Sequence, residues 1–331
     1  WLHTGDSALI NKNGGDALLI HANKAHVEVI NQKGITITGK MRLSGVRAQS
    51  ITPEEMEGIY DIVFLLTKQT HNEIALKQLL PHLGKNSVVC TLQNGIPEEY
   101  VAKIIGKERT VGGIVGWGAT YCGPGVSELT SDVSAMRFEI GELDGTKSER
   151  IEVIAALLNL VGTCVVVENL LGLRWAKVIQ NATLSGMSAA VGATYADILD
   201  DEKATACAAY VGNEIVQIVR KLEIQLEDLV PGWSYYDLAF SDQIGLEKAK
   251  EWLREYFHPH RSLKASMLQD MEKGTPSEID YIVGICSEWG KKVGVPTPIC
   301  DTIIEIVKDF ESGKIPLPSM SLLSRFDLEG K

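Results

Sequence analysis

Two lysines, two asparagines and a glutamate have side chains and spacings that could do chemistry. The apolar run Asp61-Ile62-Val63-Phe64-Leu65-Leu66-Thr67 turns into Lys68, and Ser87-Val88-Val89-Cys90-Thr91-Leu92 turns into Gln93-Asn94-Gly95. In an open parallel sheet, ligands collect beyond the carboxyl ends of the strands. Lys68 could reach a phosphate or a ribose hydroxyl there, and Asn94 a ribose or a carboxamide. Taken singly, each has an ordinary use, as a solvated lysine and a turn-forming Asn-Gly. Together, at matching strand ends, they point to a nucleotide.

Lys177, Asn181 and Ser185 recur at i, i+4 and i+8 and share roughly one helix face. Their neighbours Val178, Ile179, Ala182 and Leu184 put that face at the border of a core. An ammonium there can hold an anion or release a proton. By spacing alone, a lysine whose stem covers apolar surface is the better-supported reading. Ser266 and Asp270 also stand at i, i+4. Thr275-Pro276-Ser277-Glu278 has a local explanation, with Thr275 as N-cap, Pro276 in the first turn and Glu278 closing a capping box. His258-Pro259-His260 lacks a third ligand at helical spacing, so no metal is expected.

The first half must position Lys68 and Asn94. Strands are expected at Ala17–Ile20, Ile35–Thr38, Met41–Val46, 61–67 and 87–92, with helices after the last two. Unbroken apolar strands suit a sheet covered on both faces. Their alternation with helices implies right-handed crossovers and a doubly wound sheet. Gly112–Ser127 is Gly-rich and expected to be extended. Ile151–Val167 reads as a helix giving way to a strand, and Arg137–Leu143 as a further strand. From about Leu170 helical periodicity takes over, at 170–190, 201–223, 246–256, 261–273, 277–293 and 298–312. Val230-Pro231-Gly232-Trp233 punctuates this half, and an irregular tail is expected from Pro316. The expected domains are 1–168, α/β, and 169–331, all-helical.

Length and composition agree. A chain of 331 residues suits about two domains. With 45% apolar and 23% charged residues, disordered and fibrous classes are excluded. The formal charge of −11 argues against nucleic-acid and anionic-membrane partners, which need a basic footprint. No run approaches the roughly 20 apolar residues that span a bilayer. Neither is a secretory leader visible. The six cysteines are scattered without a C-x-x-C pair, which reads as free thiols in a reducing cytoplasm.

The chain resembles the ketopantoate reductases (2-dehydropantoate 2-reductases). That family couples an N-terminal Rossmann domain to a C-terminal helical domain and reduces a 2-keto acid with NADPH. The matching stretches are Asp61–Lys68, Leu92–Gly95, Gly118-Ala119 with Gly123-Pro124-Gly125, Trp175–Asn181, Ser266–Asp270 followed by Pro276–Asp280, and Gly294–Pro298. They stand in order between about Gly15 and Phe310.

The resemblance implies that Lys177 is the general acid, donating a proton to the carbonyl oxygen as hydride reaches the adjacent carbon. It implies Asn94, Asn181, Ser266 and Asp270 as substrate-holding groups. Lys68, Asn94, Ala119 and Glu278 resemble cofactor contacts, with Glu278 near the nicotinamide end and counted with Lys177 as catalytic. The implied partner is a small 2-keto acid, and the helical domain could supply a homodimer interface.

Three departures from the family stand out. Its first strand and most of its Gly-rich phosphate turn are expected ahead of Trp1, with His3 in place of the last motif glycine. The sequence therefore reads as N-terminally incomplete. Ala22 occupies the place of an arginine that meets the 2′-phosphate of NADPH, leaving Lys24 to act as a point charge. Ser185, Tyr195 and Leu263 stand where substrate-holding asparagines are expected. A reductase of another bulky 2-keto acid, or a non-catalytic nucleotide-binding paralogue, is the alternative.

Overall fold

The structure is a computed structural model that describes residues 7–10 and 17–328. The place expected for the last motif glycine, His3, lies outside the described residues. The chain divides into two compact units, one up to Leu170 and one from Leu171.

The strands described in the first unit are β1 (Ser7–Ile10), β2 (Leu18–Ile20), β3 (Ile35–Gly39), β4 (Leu43–Val46), β5 (Gln49–Ile51), β6 (Tyr60–Leu65), β7 (Leu83–Thr91), β8 (Thr110–Val115), β9 (Ala119–Gly123), β10 (Val126–Leu129), β11 (Arg137–Glu142) and β12 (Thr163–Val166). Eight form one sheet in the order β12-β11-β8-β7-β6-β1-β2-β5. Pairs β2/β5, β6/β7, β7/β8 and β11/β12 are parallel, while β11 runs against β8. Strand β1, absent from the sequence reading, lies between β2 and β6 and is antiparallel to both. Its place follows from hydrogen bonding, because a strand in that position pairs the facing N–H and C=O groups of both neighbours.

Side-chain alternation then builds two layers. Val63 and Leu65 of β6 and Val89 of β7 face one way. They share a core with Leu76 and Leu79 of α2 (Asn72–Leu79) and Val101 and Ile105 of α3 (Glu98–Ile105), the helices numbered in chain order after α1 (Lys24–Lys33). Phe64, Val88 and Cys90 face the other way, onto Ile30 of α1 and Ile151, Ile154 and Leu158 of α4 (Glu149–Leu158). Each such side chain contributes about 1.5–3 kcal/mol on burial, so the two faces hold the sheet. This is the expected Rossmann-type doubly wound arrangement.

A second sheet, β4-β3-β10-β9, was not foreseen. It joins the Ile35–Gly39 strand in parallel with Val126–Leu129, and Ile37, Leu129 and Met136 fill its small core.

The second unit is helical, from α5 (Leu170–Gln180) through a π-helical turn (Asn181–Gly186) into α6 (Met187–Val191). There follow α7 (Tyr195–Asp200), α8 (Glu202–Lys221), α9 (Gln243–Tyr256), α10 (Ser266–Glu272), α11 (Ile279–Ile282), α12 (Gly284–Val293) and α13 (Pro298–Glu311). Helix α8 is buried along most of its length. Its Glu214 carboxylate accepts from the backbone N–H groups of Ile299 (2.8 Å) and Cys300 (3.0 Å), capping α13 from another helix. The expected 277–293 helix breaks at Val283, ahead of a glycine of poor helix propensity.

The tail is more ordered than expected. Met320–Arg325 forms a 3₁₀ turn, and Leu323 and Phe326 are buried. Gly192, at φ 60°, admits it: a Cβ there would sit 1.8 Å from the Pro318 carbonyl oxygen. Among the described residues no helix is long and apolar enough to cross a membrane.

Candidate active site

The first cluster is held by a buried glutamine. Gln93 Nε2 donates to the Thr67 carbonyl (2.5 Å) and to Asn72 Oδ1 (2.6 Å), while its Oε1 accepts from Thr91 Oγ1 (3.1 Å). Gln69 Nε2 donates to the Asn94 carbonyl oxygen (2.5 Å). The loops after β6 and β7 are thereby tied together, and with them the backbones that carry Lys68 and Asn94. Both of these residues are half-buried.

Because β1 opposes both its neighbours, β2 and β6 run the same way, as do β7 and β8. Lys24, Lys68, Asn94 and Ala119 therefore all follow carboxyl ends at one edge of the main sheet, after β2, β6, β7 and β8 in turn. Lys24 is exposed and opens α1, whose N-cap Asn23 accepts from the His26 N–H (3.3 Å). Ala22 is also exposed, in the same loop. Gly118, just before Ala119, leaves little room for a side chain: a Cβ would lie 2.6 Å from Thr130 Oγ1, and that hydroxyl would have to move. One buried donor, Asn72 Nδ2, has no hydrogen-bond partner among the described residues. A donor left over at this edge suits a phosphate or ribose oxygen, and the residues present fit a nicotinamide dinucleotide.

The second cluster lies on α5 and the π turn. An α-helix drifts about 40° over four residues, and a π turn, wider by about one residue, drifts back. Lys177, Asn181 and Ser185 so keep one face better than a regular helix would allow. The Thr183 hydroxyl donates to the carbonyls of Ile179 (2.9 Å) and Gln180 (3.1 Å) at the register change. The π turn packs against α10, which carries exposed Ser266 and half-buried Asp270, and against α11, which Glu278 precedes.

The capping box expected at Thr275–Glu278 does not form. Thr275 Oγ1 donates back to the Asp270 carbonyl (3.1 Å), and Ser277 is held through its N–H and hydroxyl by Glu311 Oε1 (3.0 and 2.7 Å). The helix begins at Ile279, so Glu278 is a buried carboxylate without the capping duty.

Lys177 Nζ donates to Gln180 Oε1 (2.9 Å), Gln180 Nε2 donates to Tyr256 OH (3.3 Å), and the Tyr256 and Tyr235 hydroxyls are 2.7 Å apart. Burial pushes both phenols above their ordinary range, so they stay neutral. His260, exposed at the surface, is held below its usual value, first by partial desolvation of its ring and then by the Lys177 charge. Sequence reasoning missed Gln180 and the two tyrosines. The available signals were the i, i+3 offset from Lys177 and the Trp252–Tyr256 aromatic spacing.

A doubly wound sheet with polar groups along its carboxyl edge, followed by a helical unit with a half-buried lysine, defines a Rossmann-type domain joined to a helical domain. The comparisons sharpen that class. The model described as "Ketopantoate reductase PanE/ApbA" matches residues 7–145 and its C-terminal counterpart matches 169–311, so the chain belongs to the ketopantoate reductase family. It is 29% identical over 319 residues to the 2-dehydropantoate 2-reductase of Mesorhizobium japonicum, covering 89% of this chain and 90% of that protein. It is 29% identical over 303 residues to the enzyme of the same name from Pyrococcus abyssi, at 91% and 92% coverage. Among solved structures, D-mandelate dehydrogenase with NADH and anilino(oxo)acetate shares the fold at a TM-score of 0.76 and 24% identity, covering 89% of this chain and 91% of that one. A ketopantoate reductase from Ralstonia eutropha does so at 0.73 and 20%, with the same coverage.

Proposed function

We propose that this chain reduces a 2-keto acid to the 2-hydroxy acid with NADPH, and that the acid is ketopantoate, yielding pantoate. One observation carries the reading: the half-buried Lys177 ammonium is hydrogen-bonded in place on a helix whose next turn packs against the segments bearing Ser266, Asp270 and Glu278.

A reduced nicotinamide, when bound, brings a hydride for the keto carbon. Lys177 Nζ is the proton source for the carbonyl oxygen. An ammonium with a reference pKa of about 10.4 is protonated at neutral pH and stabilises negative charge building on that oxygen. Asn181, Ser266 and Asp270 orient the substrate, with Asn94 contributing from its strand-end loop. Lys68, Asn94 and Ala119 hold the dinucleotide, Lys24 meets its 2′-phosphate, and Glu278 serves both cofactor and chemistry. On this reading residues 1–168 are the cofactor domain and 169–331 the substrate and dimerisation domain. The six free cysteines accord with a cytoplasmic site. The test is steady-state turnover of ketopantoate with NADPH against NADH. Saturable NADPH-dependent turnover is expected, and none with any 2-keto acid would refute it.

The Ser185–Tyr195 pair favours a second reading, a bulkier and less polar 2-keto acid. Their buried hydroxyls are 2.6 Å apart and satisfy one another, leaving less hydrogen bonding for a substrate hydroxyl. The D-mandelate dehydrogenase structure contains anilino(oxo)acetate, an aryl-bearing 2-oxo acid amide. A panel of aliphatic and aromatic 2-keto acids separates the two readings, and a clear preference for ketopantoate would dismiss the second.

A further inference from the structure

We infer that Gln180 is a positioning residue for Lys177, itself oriented by Tyr256 and Tyr235, so that a chain of neutral hydrogen bonds aims the ammonium. The inference rests on the reading of Lys177 as the proton donor.

An amide has an acceptor end and a donor end. With Gln180 Nε2 donating to Tyr256 OH at 3.3 Å, its oxygen is the end left for Lys177, and it accepts from Nζ at 2.9 Å. A reversed amide would set an NH₂ against an ammonium, two donors facing each other. The ammonium, which can only donate, thus sets which amide end faces it, and the tyrosine hydroxyl anchors the other end. Tyr256 is itself fixed: its ring stacks on Trp252 at 4.5 Å and 9°, and its hydroxyl meets that of the fully buried Tyr235 at 2.7 Å. The Gln180 backbone is fixed too, because the Thr183 hydroxyl takes its carbonyl at 3.1 Å.

The neutrality of the tether has a consequence. A carboxylate in place of the amide would favour the charged ammonium and hold its proton back. The Gln180 carbonyl gives direction with a weaker hold, which suits a group that must release a proton. A mere i, i+3 pair on a helix surface would add slightly to stability and nothing to turnover.

The experiment uses the full chain with Gln180→Met, which keeps length and removes both polar ends, and Tyr256→Phe, which removes only the orienting hydroxyl. Misplacing a catalytic group lowers the rate steeply, so Gln180→Met is expected to lose roughly 10- to 100-fold in kcat with KM within about threefold. Tyr256→Phe should show a smaller loss of the same kind. In ¹⁵N-lysine NMR of the protein without ligands, the Lys177 ammonium signal should shift in both variants. An unchanged kcat in Gln180→Met, with a Lys177→Ala control inactive, overturns the inference, as does an unmoved NMR signal. If Lys177→Ala stays active and methylammonium has no effect on it, the underlying reading fails instead.

Discussion

The hydroxyls of Ser185 and Tyr195 lie 2.6 Å apart with both side chains buried, and the Tyr195 N–H donates to the Leu263 carbonyl at 3.0 Å. All three positions where the family resemblance calls for asparagine thus meet through these bonds. The Tyr195 ring stands edge-on to Phe257 at 5.8 Å, and burial keeps its phenol above the ordinary range and neutral. Tyr195→Phe leaves the Ser185 hydroxyl buried without this partner, which should cost about 1–3 kcal/mol. Ser185→Ala in the same chain should restore most of that loss. Urea unfolding of the two singles and the double checks it.

Glu214 binds the first turn of α13 from α8. Glu214→Gln keeps one acceptor and sets an NH₂ against the other backbone N–H. A loss of about 1–3 kcal/mol is expected, with an unchanged urea m-value. Thermal and urea unfolding give both quantities.

His260 gives a pH signature. Its folded pKa is depressed, by partial desolvation of the ring first and the Lys177 charge second, although the residue as a whole is exposed. Below about pH 6.5, the reference value, the unfolded chain takes up a proton that the folded chain resists. Stability should fall as pH drops through that region and be untouched by this group above it. Lys177→Met should raise the His260 pKa towards its ordinary value and lessen the acid loss. An NMR titration of His260 in both proteins measures this directly.

Lys24 opens the helix after β2 and is exposed. Lys24→Glu reverses a charge where the 2′-phosphate is proposed to sit. The KM for NADPH should rise roughly tenfold or more, and that for NADH little, since a like charge now faces only the phosphate. Equal effects on both cofactors would place the phosphate elsewhere.

What the sequence made legible was local. The Asp61–Thr67 run announced β6, observed as Tyr60–Leu65, and the helical stretch from 298 was observed as Pro298–Glu311, because periodicity and first-turn proline act within a few residues. What it hid was distant or irregular. Ile35–Gly39 pairs with a strand some ninety residues later, so the second sheet left no pattern of its own. The Thr275–Glu278 start was a sound local signal overridden by Glu311, 34 residues away in sequence. A period of 3.6 cannot reveal a π turn, and Gln180, being neutral, carried no mark of chemistry. The roles of Lys177 and Glu278 came from the resemblance, not from spacing.

The most direct test is Lys177→Ala, assayed for turnover of a 2-keto acid alongside the dissociation constant for NADPH. Loss of a proton donor and its electrostatic stabilisation should lower kcat by roughly 100-fold or more with NADPH binding nearly unchanged. Turnover within a few-fold of the parent, with the cofactor bound as before, would contradict the assignment of Lys177 as the proton donor.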